Sequence, residues 1–471
     1  PRFPRRSGLL LASRAMVAAL ASLACRAARR PLSSLACHSA RRSVSTSAAP
    51  IYDVAVVGGG AAGLSICALL RKKAPDLRIG LIEPSGTHYY QPAWTLVGGR
   101  TFDAAQTRAD MASLIPEQVE WIQKEALEFV PEKNELRLRE EEGKSSALRY
   151  KRLVVAPGLE LDWGAIEGLE PTLGRNGVTS NYDFSSCQYT AELVEQLSAT
   201  AGGRRPRAIF TQPPMPIKCA GAPQKALYLS AHAWESAGAA VDLTFCSAGP
   251  ALFGVKEFVP TLQGYMDRYG ATECYGHTLV AVDGQARRAK FQTADGQLVE
   301  KEFEMLHVVP PMRAPRCVRE SPLADATGFV AVEHDTLRHV DFENVFAAGD
   351  CVSAPNAKTM AAARKQAPVV VHNLLQDLAP AAARPTEAVY DGYGACPLTV
   401  EKGKVVLAEF GWGGQLMPSF PGWLIKNTAP SRLAWAFKRH ALPWFYWHIM
   451  LPGRSWCDPM SWPSIREKGE R

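Results

Sequence analysis

The chain has 471 residues, 47% apolar and 21% charged, the balance of a globular protein with two or three domains and room for a large core. Its formal charge of +7 is uneven: residues 1–50 hold nine arginines and no acid, so the remainder carries 44 basic against 46 acidic groups, a net of −2. That balance removes any composition-based case for nucleic-acid binding. Eleven cysteines without CxxC or Cys/His spacing argue against a zinc site and against a secreted disulfide scaffold.

Residues 1–50 are rich in Arg, Ala, Ser and Leu and read as a disordered mitochondrial transit peptide, with Met16 as a start and cleavage between residues 42 and 49. The other reading is a disordered basic arm. No run of about twenty apolar residues follows, so no transmembrane helix is expected.

From Ile51 the pattern is doubly wound α/β. The strand Ile51 to Val57 runs into Gly58-Gly59-Gly60-Ala61-Ala62-Gly63, then a helix to Lys73, then a strand ending at Glu83. Glycines there let backbone approach a pyrophosphate at a helix N-terminus, and an acid about twenty residues on binds a ribose hydroxyl. Gly58, Gly60, Ala61, Ala62, Gly63 and Glu83 are therefore candidate dinucleotide contacts. Two further segments resemble motifs of two-dinucleotide-domain flavoproteins: Val154-Val155-Ala156-Pro157-Gly158, and Val345-Phe346-Ala347-Ala348-Gly349-Asp350, whose aspartate holds a ribityl chain. Three motifs in that order point to FAD.

The middle region alternates strand and helix, but the strand Ala208-Ile209-Phe210 is followed by Gln212-Pro213-Pro214-Met215-Pro216. Prolines lack the amide donors of a phosphate cradle, so NADH is not expected as reductant. In its place stands Lys218-Cys219, in a strand-to-helix turn. A helix N-terminus and a neighbouring lysine both favour thiolate over thiol.

After Asp350, Lys358 to Leu378 reads as a helix interrupted near Pro368, its N-terminal amides and Lys358 facing the flavin. Cys396 follows in a turn before Pro397. The last ninety residues interleave Trp412, Trp423, Trp435, Trp444, Trp447, Trp456 and Trp462 with Lys426, Arg432, Lys438 and Arg439. That mixture suits short helices in a membrane interface, or else an aromatic core or dimer contact.

Together these residues resemble the sulfide:quinone oxidoreductases of the eukaryotic mitochondrial type. The likeness rests on His88-Tyr89-Tyr90-Gln91-Pro92-Ala93-Trp94, on Lys218-Cys219-Ala220-Gly221-Ala222-Pro223-Gln224-Lys225, and on Asp391-Gly392-Tyr393 with Cys396-Pro397-Leu398. It implies FAD, contacted at Ala61, Ala62, Glu83, Gln91, Ala126 and Asp350, with hydrogen sulfide as donor and ubiquinone as acceptor. It also implies redox-active Cys219 and Cys396: Cys396 carries a persulfide, Cys219 is the flavin-side thiolate, and a small thiol or sulfite removes the sulfur. Tyr182 stands where another type of the family has a third cysteine, a role not transferred to Cys187. Cys351, beside Asp350, reads as a packing residue.

The expected architecture is two Rossmann-like domains in tandem. It comprises an FAD domain over 51–170 and 330–380, a second domain over 171–329 without a nicotinamide cradle, and an aromatic membrane-interfacial region over 381–471. The expected location is the mitochondrial inner membrane, peripheral or monotopic, on the matrix side. Two competing readings are a single-subunit NADH:quinone oxidoreductase and a non-enzymatic, membrane-associated flavin redox sensor.

Overall fold

The computed structural model describes residues 51–199, 205–380, 386–454 and 464–467. The transit-peptide reading of residues 1–50, Trp456 and Trp462 lie outside the described residues. Residues 49–471 form one compact unit.

The first lobe is built on β1 (Ile51–Val57), whose β-branched run is buried on both faces as a central parallel strand requires. α1 (Ala61–Lys73) follows, its last turn carrying Arg71, Lys72 and Lys73 against the negative end of the helix dipole. β2 (Ile79–Ile82) and β3 (Val119–Ile122) extend the parallel sheet on one side of β1. β4 (Ala126–Val130), β5 (Glu135–Arg139) and β6 (Ser145–Val155) form an antiparallel meander. The long β6 joins the two parts, pairing antiparallel with β5 along its first half and parallel with β1.

The second lobe is a parallel sheet of five strands. In chain order these are β7 (Val178–Thr179), β8 (Arg207–Gln212), β9 (Asp242–Ser247), β10 (Thr272–Tyr275) and, after an antiparallel ribbon, β14 (Met305–His307). Their spatial order is β7-β14-β8-β9-β10, which leaves β10 at an edge. The ribbon consists of β11 (His277–Asp283), β12 (Arg288–Thr293) and β13 (Leu298–Glu302). α2 (Phe184–Ser198) precedes β8. α3 (Ala222–Ala237) follows it, with Pro223 in its first turn and Gly238 at φ 69° just past its end.

β15 (Val345–Ala347) returns to the first sheet beside the end of β6. α5 (Met360–Leu378) then packs on α1, in chain order after α4 (Val259–Tyr269) of the second lobe. The expected interruption at Pro368 is absent; the helix runs through it. Proline inside a helix costs about 3 kcal/mol. Val369, Val370, Val371 and Leu374 beside it are buried, each worth about 1.5–3 kcal/mol, and their packing wins.

The hairpin β16 (Gly394–Glu401) and β17 (Lys404–Phe410) comes next. Its inward side chains, Cys396, Leu398, Val400, Val406 and Ala408, share one core with Leu227, Phe253 and Phe258 of the second lobe. A helical run over 432–450 follows, and the backbone of Ser464–Glu467 then pairs antiparallel with that of Thr386–Val389. No helix among the described residues is long and apolar enough to cross a membrane.

Candidate active site

A cavity of ≈ 580 Å³ runs from the β1–α1 turn, past Asp350 and Cys219, to an apolar mouth at Phe420, Phe437, Leu442 and Phe445. A polar cleft of ≈ 740 Å³ between Arg175, Asp283 and Arg288 also exists on the second lobe, but no cysteine lines it.

At one end of the cavity lie Gly60, Ala61, Ala62, Glu83 and Gln91. Gly60 starts α1 without any side-chain cap, and a Cβ there would meet nothing within 4 Å. The first-turn amides thus face open space, as a pyrophosphate site needs. Glu83 accepts from the amides of Gly59 at 2.7 Å and Ser85 at 2.7 Å, which fixes its carboxylate. Gly58 lies behind the cavity: at φ +102° a Cβ would sit 2.3 Å from the Ala156 carbonyl oxygen, so only glycine lets the two turns touch. Gly63 packs as closely on Gly58, 1.9 Å by the same measure. These features fit the FAD expected from the sequence. Ala126 does not line the cavity; it is buried in β4 within the sheet core.

Asp350 and Lys358 line the middle of the cavity. Desolvation pushes the Asp350 carboxyl up, opposed by the Lys358 and Lys218 amines. The Lys358 Nζ donates to the Val352 carbonyl at 2.8 Å and sits 4.4 Å from the centre of the Phe329 ring. Cys351 is fully buried, its thiol pushed up to about 12. Cys187 is buried too and donates to the Phe184 carbonyl at 3.1 Å.

The two cysteines singled out by sequence meet: Cys219 Sγ lies 3.5 Å from Cys396 Sγ, both as free thiols. Two arrangements produce this. The backbone of Lys218 pairs with that of Lys358, which ties the turn after β8 to the first lobe. Gly221 then lets β16 approach, because a Cβ there would lie 2.7 Å from Cys396 Sγ and 2.2 Å from a Leu398 methyl. Cys219 itself has φ 84°, a left-handed backbone rare for any residue with a Cβ.

The cation that serves the thiols is not Lys218, as adjacency suggested. Lys225, six residues on in α3, is buried and donates to Cys219 Sγ at 3.1 Å and to Cys396 Sγ at 3.8 Å. Lys218 responds to Asp350 instead. Hydrogen bonding from Cys396, against burial and together with Lys225, holds the Cys219 thiol well below its ordinary range, while the same contact and burial raise Cys396. Lys225, nearer to Cys219 than to Cys396, favours the thiolate on Cys219. Lys438, in the helical run, donates to the Pro397 carbonyl at 2.7 Å. Burial and the nearby Lys225 push its amine well down, toward the neutral form.

Tyr182 and His88 lie in segments the sequence singled out, but their contacts, and Tyr446, had no signal there. Tyr182 Oη donates to the carbonyl of Lys218 at 3.0 Å and bridges toward that of Cys219 at 3.4 Å, holding the cysteine turn from beneath. His88 and Tyr446 form the third contact. His88 Nδ1–H donates to the Gly59 carbonyl at 3.0 Å, and Nε2 accepts from Tyr446 Oη at 2.6 Å. Burial keeps that imidazole neutral, its pKa lowered to about 4. Half of the aromatic C-terminal segment is thus core: Tyr446, Met450 and Leu451 are buried on the first lobe. The other half is exposed, Trp423 by 84% and Trp444 by 44%, alongside Leu424 and Leu433.

A model of the pyridine nucleotide-disulphide oxidoreductase family matches residues 52–192. The chain is 39% identical to the mitochondrial sulfide:quinone oxidoreductase of Dictyostelium discoideum over 405 residues, covering 85% of this chain and 86% of that protein. It is 34% identical to that of Mus musculus over 412 residues, with 87% and 88% covered. The solved sulfide:quinone oxidoreductase of Aquifex aeolicus superimposes with a TM-score of 0.71 at 19% identity, covering 90% of this chain and 98% of that one.

Proposed function

The chain belongs to the sulfide:quinone oxidoreductase family, and from that premise we propose how its own residues carry the reaction. It is an FAD-dependent enzyme that couples oxidation of sulfide to reduction of a quinone. The observation that carries our mechanism is the Cys219–Cys396 pair, 3.5 Å apart beside a buried ammonium, with Cys219 lining the FAD cavity and Cys396 directly behind it.

In the oxidised pair the sulfurs are joined, directly or through one further sulfur. Hydrosulfide attacks on the Cys396 side; its lone pair makes the new S–S bond, and the broken bond leaves its electrons on Cys219 as thiolate. Two electrons have passed from sulfide to the pair. Lys225 stabilises that thiolate by charge and hydrogen bond, and the Lys438 amine, whose affinity for a proton burial lowers, takes the proton that the attacking sulfide loses. An external nucleophile, a small thiol or sulfite, then removes the outer sulfur from Cys396. FAD, when bound, supplies the two-electron acceptor between the dithiol and the quinone. Gly60, Ala61, Ala62 and Glu83 hold its dinucleotide end, Asp350 its ribityl chain, and Tyr182 fixes the cysteine turn toward the cavity.

The apolar mouth at Phe420, Phe437, Leu442 and Phe445 admits the quinone, and exposed Trp423, Leu424, Leu433 and Trp444 seat it in the surface of the mitochondrial inner membrane, on the matrix side. The second reading, a single-subunit NADH:quinone oxidoreductase, lacks a phosphate cradle after β8. Anaerobic titration decides: sulfide should bleach the bound flavin of the wild type, and Cys219→Ser and Cys396→Ser should retain flavin without bleaching. Bleaching by NADH, or by sulfide in either variant, would overturn the proposal.

A further inference from the structure

Of eight described cysteines, two form the catalytic pair and four are inert by position. Burial pushes the thiols of Cys67, Cys187 and Cys351 to about 12 and that of Cys317 to about 11. Cys246 and Cys274 remain. Cys246 is on β9 and Cys274 on β10, and the parallel register places them directly opposite one another. Both pack into the same cluster with Ile209, Leu279 and Phe291, so their side chains share a face of the sheet. Adjacent strands lie about 4.8 Å apart, inside the Cα separation of about 4.4–6.8 Å that a disulfide requires.

The two thiols differ in access. Cys246 is fully buried, whereas Cys274 is partly exposed on the edge strand. Lys301 of β13 and His277 of β11 flank Cys274, and both favour its thiolate. The contact with Cys246 and the neighbouring Lys301 and His277 hold the Cys274 thiol below its ordinary range, the reverse of the four inert cysteines.

We propose that Cys246 and Cys274 form a second dithiol, a modification site for sulfane sulfur that closes to a disulfide. The proposal rests on the reading above that the enzyme hands sulfur to a small thiol, which makes a persulfide, RSSH. The Cys274 thiolate attacks the outer sulfur of RSSH, forming Cys274–S–SH and releasing RSH. Cys246 then attacks the Cys274 sulfur, forming the Cys246–Cys274 bond and expelling hydrosulfide. The sum is two thiols plus RSSH giving one disulfide, RSH and hydrogen sulfide: two electrons leave the dithiol and reduce the sulfane sulfur. Two equivalents of a reducing thiol reverse it. Product sulfur is thereby turned back into sulfide, and the edge strand is fastened to its neighbour.

The test treats the holoenzyme anaerobically with glutathione persulfide, alkylates the remaining thiols and maps the peptides. Wild type should yield a linked Cys246–Cys274 peptide that dithiothreitol separates. Before treatment Cys274 should alkylate about tenfold faster than Cys317. Cys246→Ser should leave Cys274 carrying one extra sulfur, Cys274→Ser should leave Cys246 unmodified, and both should keep sulfide:quinone turnover. A linked peptide with added persulfide but none during turnover with sulfide, quinone and glutathione upholds the dithiol and removes glutathione as the acceptor. If wild type keeps both thiols alkylatable under the persulfide, the proposal falls, with no variant needed.

Discussion

Replacing Lys225 by methionine tests the electrostatics of the thiol pair directly. The ammonium lies 3.1 Å from Cys219 Sγ in a buried site, and methionine fills similar volume without an unpaired polar atom. For unit charges at that distance, an effective dielectric of about 20 gives roughly 5 kcal/mol. A hydrogen bond to a charged group, measured by truncation, is worth about 1.5–3 kcal/mol. These bounds correspond to a rise of about one to four in the Cys219 pKa. The low end is expected, because Lys438 lies near the same sulfurs and still favours their charged form. The sign follows from the charged form: without its cation the thiolate is lost first at the acid end, so the titration moves to higher pH. The assay is the rate of Cys219 alkylation by iodoacetamide against pH, followed on the Cys219 peptide, in a Cys396→Ser background that leaves one thiol of the pair. Lys225→Met should move the midpoint up by about one or more, and adding Lys438→Met should move it further. An unmoved midpoint refutes the assignment of Lys225 as the thiolate's partner.

Gly221→Ala drives a methyl into Cys396 Sγ and Leu398, so it should cost about 1–3 kcal/mol by overpacking and sharply slow sulfide-driven bleaching, read by stopped flow. Glu83→Ala should purify largely without flavin; full occupancy at ordinary affinity would contradict the ribose assignment. Trp423→Ser with Trp444→Ser should weaken binding to anionic liposomes about tenfold or more while solubilised enzyme still turns over a short-chain quinone; unchanged binding removes the anchor. His307 is fully buried, accepts from the Asn181 amide, and burial lowers its pKa from 6.5 to about 3. The unfolded chain binds that proton first, so His307 contributes stability above pH 6.5 that is lost as pH falls toward 3, about 3 kcal/mol of it by pH 4. His307→Gln should flatten that part of the melting temperature's pH profile, and an unchanged slope would exclude the role.

What the sequence disclosed depended on whether the constraint was local. The β1–α1 turn was legible because three glycines and an acid at fixed spacing encode one backbone shape, and Cys219 was legible because prolines stood where a phosphate cradle belongs. Lys218 shows the limit of local signals: it is the thiol's neighbour in sequence, whereas the first turn of α3 carries Lys225 to the sulfurs. Tyr182, Lys438 and the His88–Tyr446 contact join segments far apart in the chain, and no spacing announces such pairs. Pro368 shows the opposite error, a strong local signal overruled by burial of the valines around it. The aromatic C-terminal segment needed tertiary structure to divide, since the same residue types build both its buried and its exposed face.

The left-handed backbone at Cys219 places thermal stability and catalysis in opposition at a single residue. An L-residue pays about 1–2 kcal/mol for that conformation, which glycine adopts freely. Glycine would relieve that backbone, but it would also leave the buried Lys225 ammonium without its partner at 3.1 Å, a loss that outweighs the relief. Heat-selected libraries would therefore have to change this residue and Lys225 together, and a Cys219→Gly, Lys225→Met protein that melts later than its parent would be a fossil of the enzyme, sturdier and inert.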